Sequence, residues 1–166
     1  MHIHKVFILL FINNLCYSQA SITKTASANV IVNSYMSFDI NTNGFLEFKF
    51  NNNQQLLDGI TLNNKFRVNV ASNSNWTLNV SSLTSNFLAI GSDANMNMPP
   101  SIIGIKKSNS STYVPVSNNP GMITLGYRGN QTASGNQFNM DIKATPGFDF
   151  NGGSYVIVLI FTMSPQ

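Results

Sequence analysis

The run KFRVNVAS, residues 65–72, alternates strictly, with Phe66, Val68 and Val70 on one side of an extended chain and Lys65, Arg67 and Asn69 on the other. WTLNVSS, residues 76–82, does the same, setting Trp76, Leu78 and Val80 against Thr77, Asn79 and Ser81. The intervening SNSN is built from residues whose side chains close turns by local hydrogen bonds, so the two runs read as a hairpin with six large side chains on its apolar face. Trp76, the single tryptophan, stands in register with the core residues. That register makes it a core plug rather than an exposed platform for stacking a ligand.

QFNMDIKA, residues 137–144, places Phe138, Met140, Ile142 and Ala144 inward and Gln137, Asn139, Asp141 and Lys143 outward. ASANVIVN, FLEFKF, GITL and SIIGIKK are further candidate strands. They are punctuated by turn signals at Asn43-Gly44, Asp58-Gly59, Pro99-Pro100, Asn119-Pro120-Gly121, Pro146-Gly147 and Asn151-Gly152-Gly153. From Ser21 onward no helical period emerges. Short strands without intervening helices predict one all-β antiparallel domain, a sandwich or a barrel.

The final run, SYVIVLIFTM, departs from simple alternation. Tyr155, Ile157, Leu159, Phe161 and Met163 share one face, and Val156, Val158 and Ile160 make the other face apolar too. A strand of this kind is expected at the centre of a sheet, with its second face under a loop or another chain. Left uncovered, it invites association, and it is the strongest hint of a partner in the sequence.

A chain of 166 residues, 43% hydrophobic and 9% charged, is large enough to bury a core. The net charge of +3 is spread over isolated Lys and Arg, which gives no stripe for tracking phosphates, so no nucleic-acid partner is expected. The one adjacent basic pair, Lys106-Lys107, reads as the solvated end of a strand.

MHIHKVFILLFINNLCYSQA has a short basic start, an apolar run from Val6 to Ile12, and Ser18 and Ala20 placed for cleavage after residue 20. It reads as a secretory signal peptide, residues 1–20, ahead of a β-sandwich domain at residues 21–166, and it predicts an extracellular location. Leu15 before Cys16 disfavours a lipid anchor. The apolar run is far below the ~20 residues a spanning helix needs, so no transmembrane span is expected. Loss of the leader removes His2, His4 and Cys16, and with them every histidine and cysteine. The mature chain then has no Ser-His-Asp or Cys-His nucleophile, no disulfide, and no His/Cys ligands for zinc or copper.

The acidic residues are Asp39, Glu47, Asp58, Asp93, Asp141 and Asp149. Glycoside hydrolysis needs two carboxylates facing each other across roughly 5–10 Å. Here Glu47 and Asp141 fall on polar strand faces, and Asp58 and Asp149 fall at turns, so no catalytic residue is assigned and no cofactor is expected. DINTNG, residues 39–44, matches the opening of a calcium loop through Asp39, Asn41 and Asn43, with Gly44 at the sixth place. Phe50 stands where the closing acid belongs, and Glu47 at the ninth place is a weak substitute. An Asn-Gly hairpin turn joining YMSFDI to FLEFKF competes with calcium for this stretch and is preferred, so no metal site is assigned. Tyr113, Tyr127 and, less well placed, Tyr35 offer faces for sugar stacking, a position tyrosine also takes at a sandwich rim.

Two stretches resemble a known family. WTLNV, residues 76–80, is similar to the first signature of the WxL domain, a bacterial cell-surface module. GSYVIVLIFTMSP, residues 153–165, resembles its second signature, with Phe161-Thr162-Met163 in place of Trp-Thr-Leu. The resemblance covers these two motif strands and not the segments between them. It implies an immunoglobulin-like sandwich, non-catalytic and held non-covalently at the cell envelope.

The expected function is thus a secreted structural or adhesion protein whose partner is an envelope component or another surface protein, with self-association as a further route. A fimbrial-type subunit in which residues 25–33, through Ala28, Val30 and Val32, donate a strand to a neighbour is the first alternative. A carbohydrate-binding module is the second.

Overall fold

The alternating runs fold as antiparallel strands in a computed structural model that describes residues 23–166. The expected leader, with His2, His4 and Cys16, lies outside the described residues. The strands are β1 (Met36–Thr42), β2 (Ile60–Ser72), β3 (Trp76–Ser82), β4 (Leu88–Ile90), β5 (Ile103–Lys107), β6 (Val114–Pro115), β7 (Gly121–Gly126), β8 (Gln137–Ala144), β9 (Ser154–Val156) and β10 (Leu159–Pro165). One five-stranded sheet has the order β1-β2-β8-β5-β6, a three-stranded sheet runs β10-β3-β7, and β4 pairs with β9 in a separate ribbon. These elements belong to one compact unit, Asn33–Gln166. Residues 23–32, in the other unit, are without helix or strand and are exposed throughout.

Residues 66–70 and 76–80 do not form the expected hairpin. β2 lies in the five-stranded sheet and β3 in the three-stranded one, so SNSN carries the chain from one layer to the other. Two alternating strands satisfy their apolar faces equally well by pairing side by side or by facing each other across a sandwich. Here they lie in opposite layers, and Val68, Val70, Trp76, Leu78 and Val80 are all completely buried. The core also takes Met140 and Ile142 from β8 and Ile105 from β5.

GITL and KFRVNVAS merge into the single thirteen-residue β2, interrupted by a bulge. Leu62 pairs with Ile142 and Phe66 with Met140, so residues 63–65 oppose Asp141 alone. Asn64 takes φ +51° there, a left-handed conformation asparagine tolerates better than most residues. Its N–H donates to Asp141 Oδ1 at 2.8 Å. The bulge buries Lys65 beside Phe66, contrary to the outward position that alternation gives it.

Two other expected strands do not form. FLEFKF carries no strand pairing, although Phe48 and Phe50 pack against the core, so Gly44 at φ +70° makes a turn without a hairpin. ASANVIVN is likewise unpaired. The chain instead inserts a short helix, α1 (Asn53–Asp58), capped by the Asn52 side chain accepting from Gln55 N–H at 2.9 Å and closed by Gly59 at φ +78°.

Candidate functional site

Trp76 is wholly buried, as its register predicts. Its ring stacks with Phe138 of β8 at 6.1 Å between centroids, and its Nε1 donates to Tyr127 O at 3.2 Å and Asn136 Oδ1 at 3.3 Å. Asn136, also fully buried, donates through Nδ2 to Gly129 O at 3.1 Å and Asn130 O at 3.0 Å. Opposite Trp76 in the sheet is Gly126, where a Cβ would stand 2.1 Å from Trp76 Cζ2. This apparatus wedges the two layers together. Asn136 was not distinguishable in sequence among so many asparagines.

The acidic residues are not gathered. Among the described residues no group of three His, Cys, Asp or Glu stands close enough to hold a metal ion. In the calcium-like loop, Asp39 Oδ2 accepts from Asn41 Nδ2 at 2.6 Å, and the backbone carbonyls of Asn43 and Phe45 are taken by the Lys65 ammonium. A buried cationic side chain thus occupies carbonyls that a loop-bound cation would use. Glu47 pairs with Lys49 at the surface, at 3.2 Å.

Asp141 is buried on the outer side of the five-stranded sheet rather than solvated. Besides Asn64 N–H, it accepts from Ser108 Oγ at 2.6 Å, and Lys106 Nζ stands 3.5 Å from Oδ2. Burial, the largest single influence, pushes its carboxyl pKa up, but Ser108, Asn64 and Lys106 together outweigh it and hold the group below the usual carboxylate value. Lys106 also donates to Ser110 O at 2.8 Å and lies over the Tyr113 ring, while Lys107 lies over Phe138. The basic pair read as a solvated strand end is therefore engaged within the fold.

The tyrosines divide. Tyr113 is half-buried under Lys106, whereas Tyr35 and Tyr127 are exposed at the end of the sandwich where Asn73 lies. Tyr127 borders an open recess with Asn73, Ser74, Asn75 and Arg128.

A different feature stands out at the edge formed by the C-terminal strand. SYVIVLIFTM was expected to form a central strand, but it is split into β9 and β10, and among the described residues β10 is the edge of its sheet, paired only with β3. Leu159, the first residue of β10, lies opposite Ser82, and the break before it at residues 157–158 lets β9 pair with β4 instead. The layers are also offset. Phe161 of β10 meets Phe66 of β2 at 5.3 Å, Trp76 of β3 lies over Phe138 of β8, and β7 approaches β6, where a Cβ on Gly121 would stand 2.9 Å from Val114 Cγ1. The three strands of the smaller sheet thus cover β2, β8 and the β5-β6 side, and among the described residues no strand of that sheet lies opposite β1.

Burial follows the same offset. The inward rows of β2, β3 and β8 are buried, whereas the inward residues beside the gap are only half-buried: Met36, Phe38 and Ile40 of β1, and Leu159, Phe161 and Met163 of β10. The outer face at this edge is apolar and wet, with Val158 53% and Ile160 38% exposed, and Leu88 exposed opposite Val156. No family model and no curated protein sequence matches this chain. Its chemistry has to be read from this edge. Backbone N–H and C=O groups along an unpaired strand, flanked by half-covered apolar side chains, can do one thing well, which is to accept another strand.

Among the described residues no helix is long and apolar enough to cross a membrane.

Proposed function

We propose that the protein is a secreted, non-catalytic structural or adhesion protein of the cell surface, which works by protein contact through the β10 edge. The observation that carries this reading is the half-buried apolar row on β10 and β1, beside an edge with no paired strand among the described residues. A self-contained sandwich buries such a row, because leaving it wet forfeits roughly 25 cal/mol per Å². The leader-like first twenty residues and the likeness of residues 76–80 and 153–165 to the WxL signatures support a place at the envelope and non-covalent attachment.

The test is sedimentation of the processed protein with envelopes isolated from its own host. The wild-type chain is expected to sediment with them. Val158→Lys with Ile160→Lys, at two exposed positions beside the edge, is expected to lower the bound fraction about tenfold by placing charge against the partner. Wild-type protein that stays in the supernatant with every envelope fraction contradicts the reading.

A further inference from the structure

We infer that the occupant of the open position beside β10 is residues 26–32 of a second copy of this chain, so that the protein assembles by strand addition. This rests on the proposed role of the β10 edge and names the partner for it.

Val30, Ile31 and Val32 are 81%, 79% and 77% exposed, and residues 23–32 are unpaired. Three consecutive β-branched residues have high strand preference, and wet apolar side chains on an unpaired segment are the sticky half of a strand pair. The segment is as long as β10, which has seven residues. It carries Ala26, Ala28, Val30 and Val32 on one face, with Ser27, Asn29, Ile31 and Asn33 opposite.

That pattern fits the gap. Set beside β10 with its apolar face inward, the segment places small side chains between the half-buried rows of Met36, Phe38 and Ile40 and of Leu159, Phe161 and Met163. Small residues suit a position already walled by large ones on both sides. Ile31 then points to the outer face, beside exposed Val158 and Ile160, as a cross-strand apolar neighbour. Residues 25–35 hold no charge, so insertion desolvates none.

A second copy is favoured over the chain's own segment by the tether. Asn73 Nδ2 donates to Asn33 O at 2.7 Å, Tyr35 N donates to Asn73 Oδ1 at 2.9 Å, and Asn73 N donates to Tyr35 O at 3.1 Å. These bonds fasten residues 33–35 immediately before β1, so filling the gap in cis demands a chain reversal at a stretch already held to Asn73.

The test uses the full chain, exported and processed by its host, in sedimentation-velocity runs over a concentration series. Wild type is expected to form concentration-dependent oligomers. Val30→Asp with Val32→Asp changes only exposed positions, so the fold is expected to be retained, and it is expected to weaken assembly at least about 100-fold. A synthetic peptide of residues 23–33 added to that variant is expected to bind one per chain, and a scrambled peptide is expected not to bind. Assembly of the double variant equal to wild type overturns the inference. So does a wild type that is monomeric at every concentration, whether its sandwich ignores the peptide or its own residues 26–32 show protected amides. Envelope sedimentation that survives Val30→Asp and Val32→Asp but is lost with Val158→Lys and Ile160→Lys removes this occupant while leaving the role of the β10 edge standing.

Discussion

At the scale of single residues, Trp76 and its neighbours fix how the two layers meet. Gly126 is the position where only hydrogen fits, because a methyl group would overlap the indole. Gly126→Ala is therefore expected to cost about 1–3 kcal/mol by forcing the ring off its seat, measured by urea unfolding. Asn136→Ala leaves the buried Trp76 N–H with Tyr127 O alone and frees the carbonyls of Gly129 and Asn130. A loss of about 1–3 kcal/mol is expected, seen as a lower Tm with the fold otherwise kept. Asp141 gives a pH dependence whose sign follows from its lowered pKa. A carboxyl held below its unfolded value of about 3.9 contributes its stability fully above that pH and loses it as pH falls through the folded value. The stability difference between wild type and Asp141→Asn is thus expected to be widest near neutrality and to shrink below about pH 4, by unfolding titrations at a series of pH values. A difference that grows on acidification would show that the ionised carboxylate does not contribute in this way.

At the scale of elements, the strands were legible where alternation was clean, and their partners were not. Phe138, Met140 and Ile142 fall inward as their period demands, because a two-residue repeat fixes which side chains share a face. The same repeat is silent on whether β2 and β3 pair within a sheet or face each other between sheets, and the hairpin reading failed there. Lys65 and Asp141 were assigned to the wrong environment for a related reason. The bulge at Asn64 is set by the partner strand β8, and it reverses the sidedness of β2 locally. FLEFKF has the side-chain pattern of a strand but no neighbour for its backbone. SYVIVLIFTM lies at a sheet edge and not at the centre its two apolar faces predict, since an apolar second face does not say whether the strand has neighbours on both sides. Val158→Lys with Ile160→Lys is expected to change unfolding stability by no more than about 0.5 kcal/mol, because both side chains are already wet. A larger loss, read by chemical denaturation, would mean that this face is covered in solution.

At the scale of the whole molecule, the sandwich is a five-stranded sheet against a three-stranded one, with the shortfall concentrated at one edge. The proposed contact site is a feature of how the two layers are superposed, with the half-buried rows of β1 and β10 lying where the smaller sheet has no further strand among the described residues. No alternation pattern can reveal that, among the described residues, the smaller sheet has no strand opposite β1, because that is a property of how two sheets are superposed.

Among the described residues β10 has a free edge, and everything proposed for the protein depends on it. Amide hydrogen exchange on dilute, monomeric protein tests it most directly. Alternate amides of β10, those facing away from β3, are expected to exchange quickly, while those bonded to β3 and all amides of the central strand β3 exchange slowly. Uniformly slow exchange along β10 in the monomer would contradict the account, since it would mean that the position beside it is already filled.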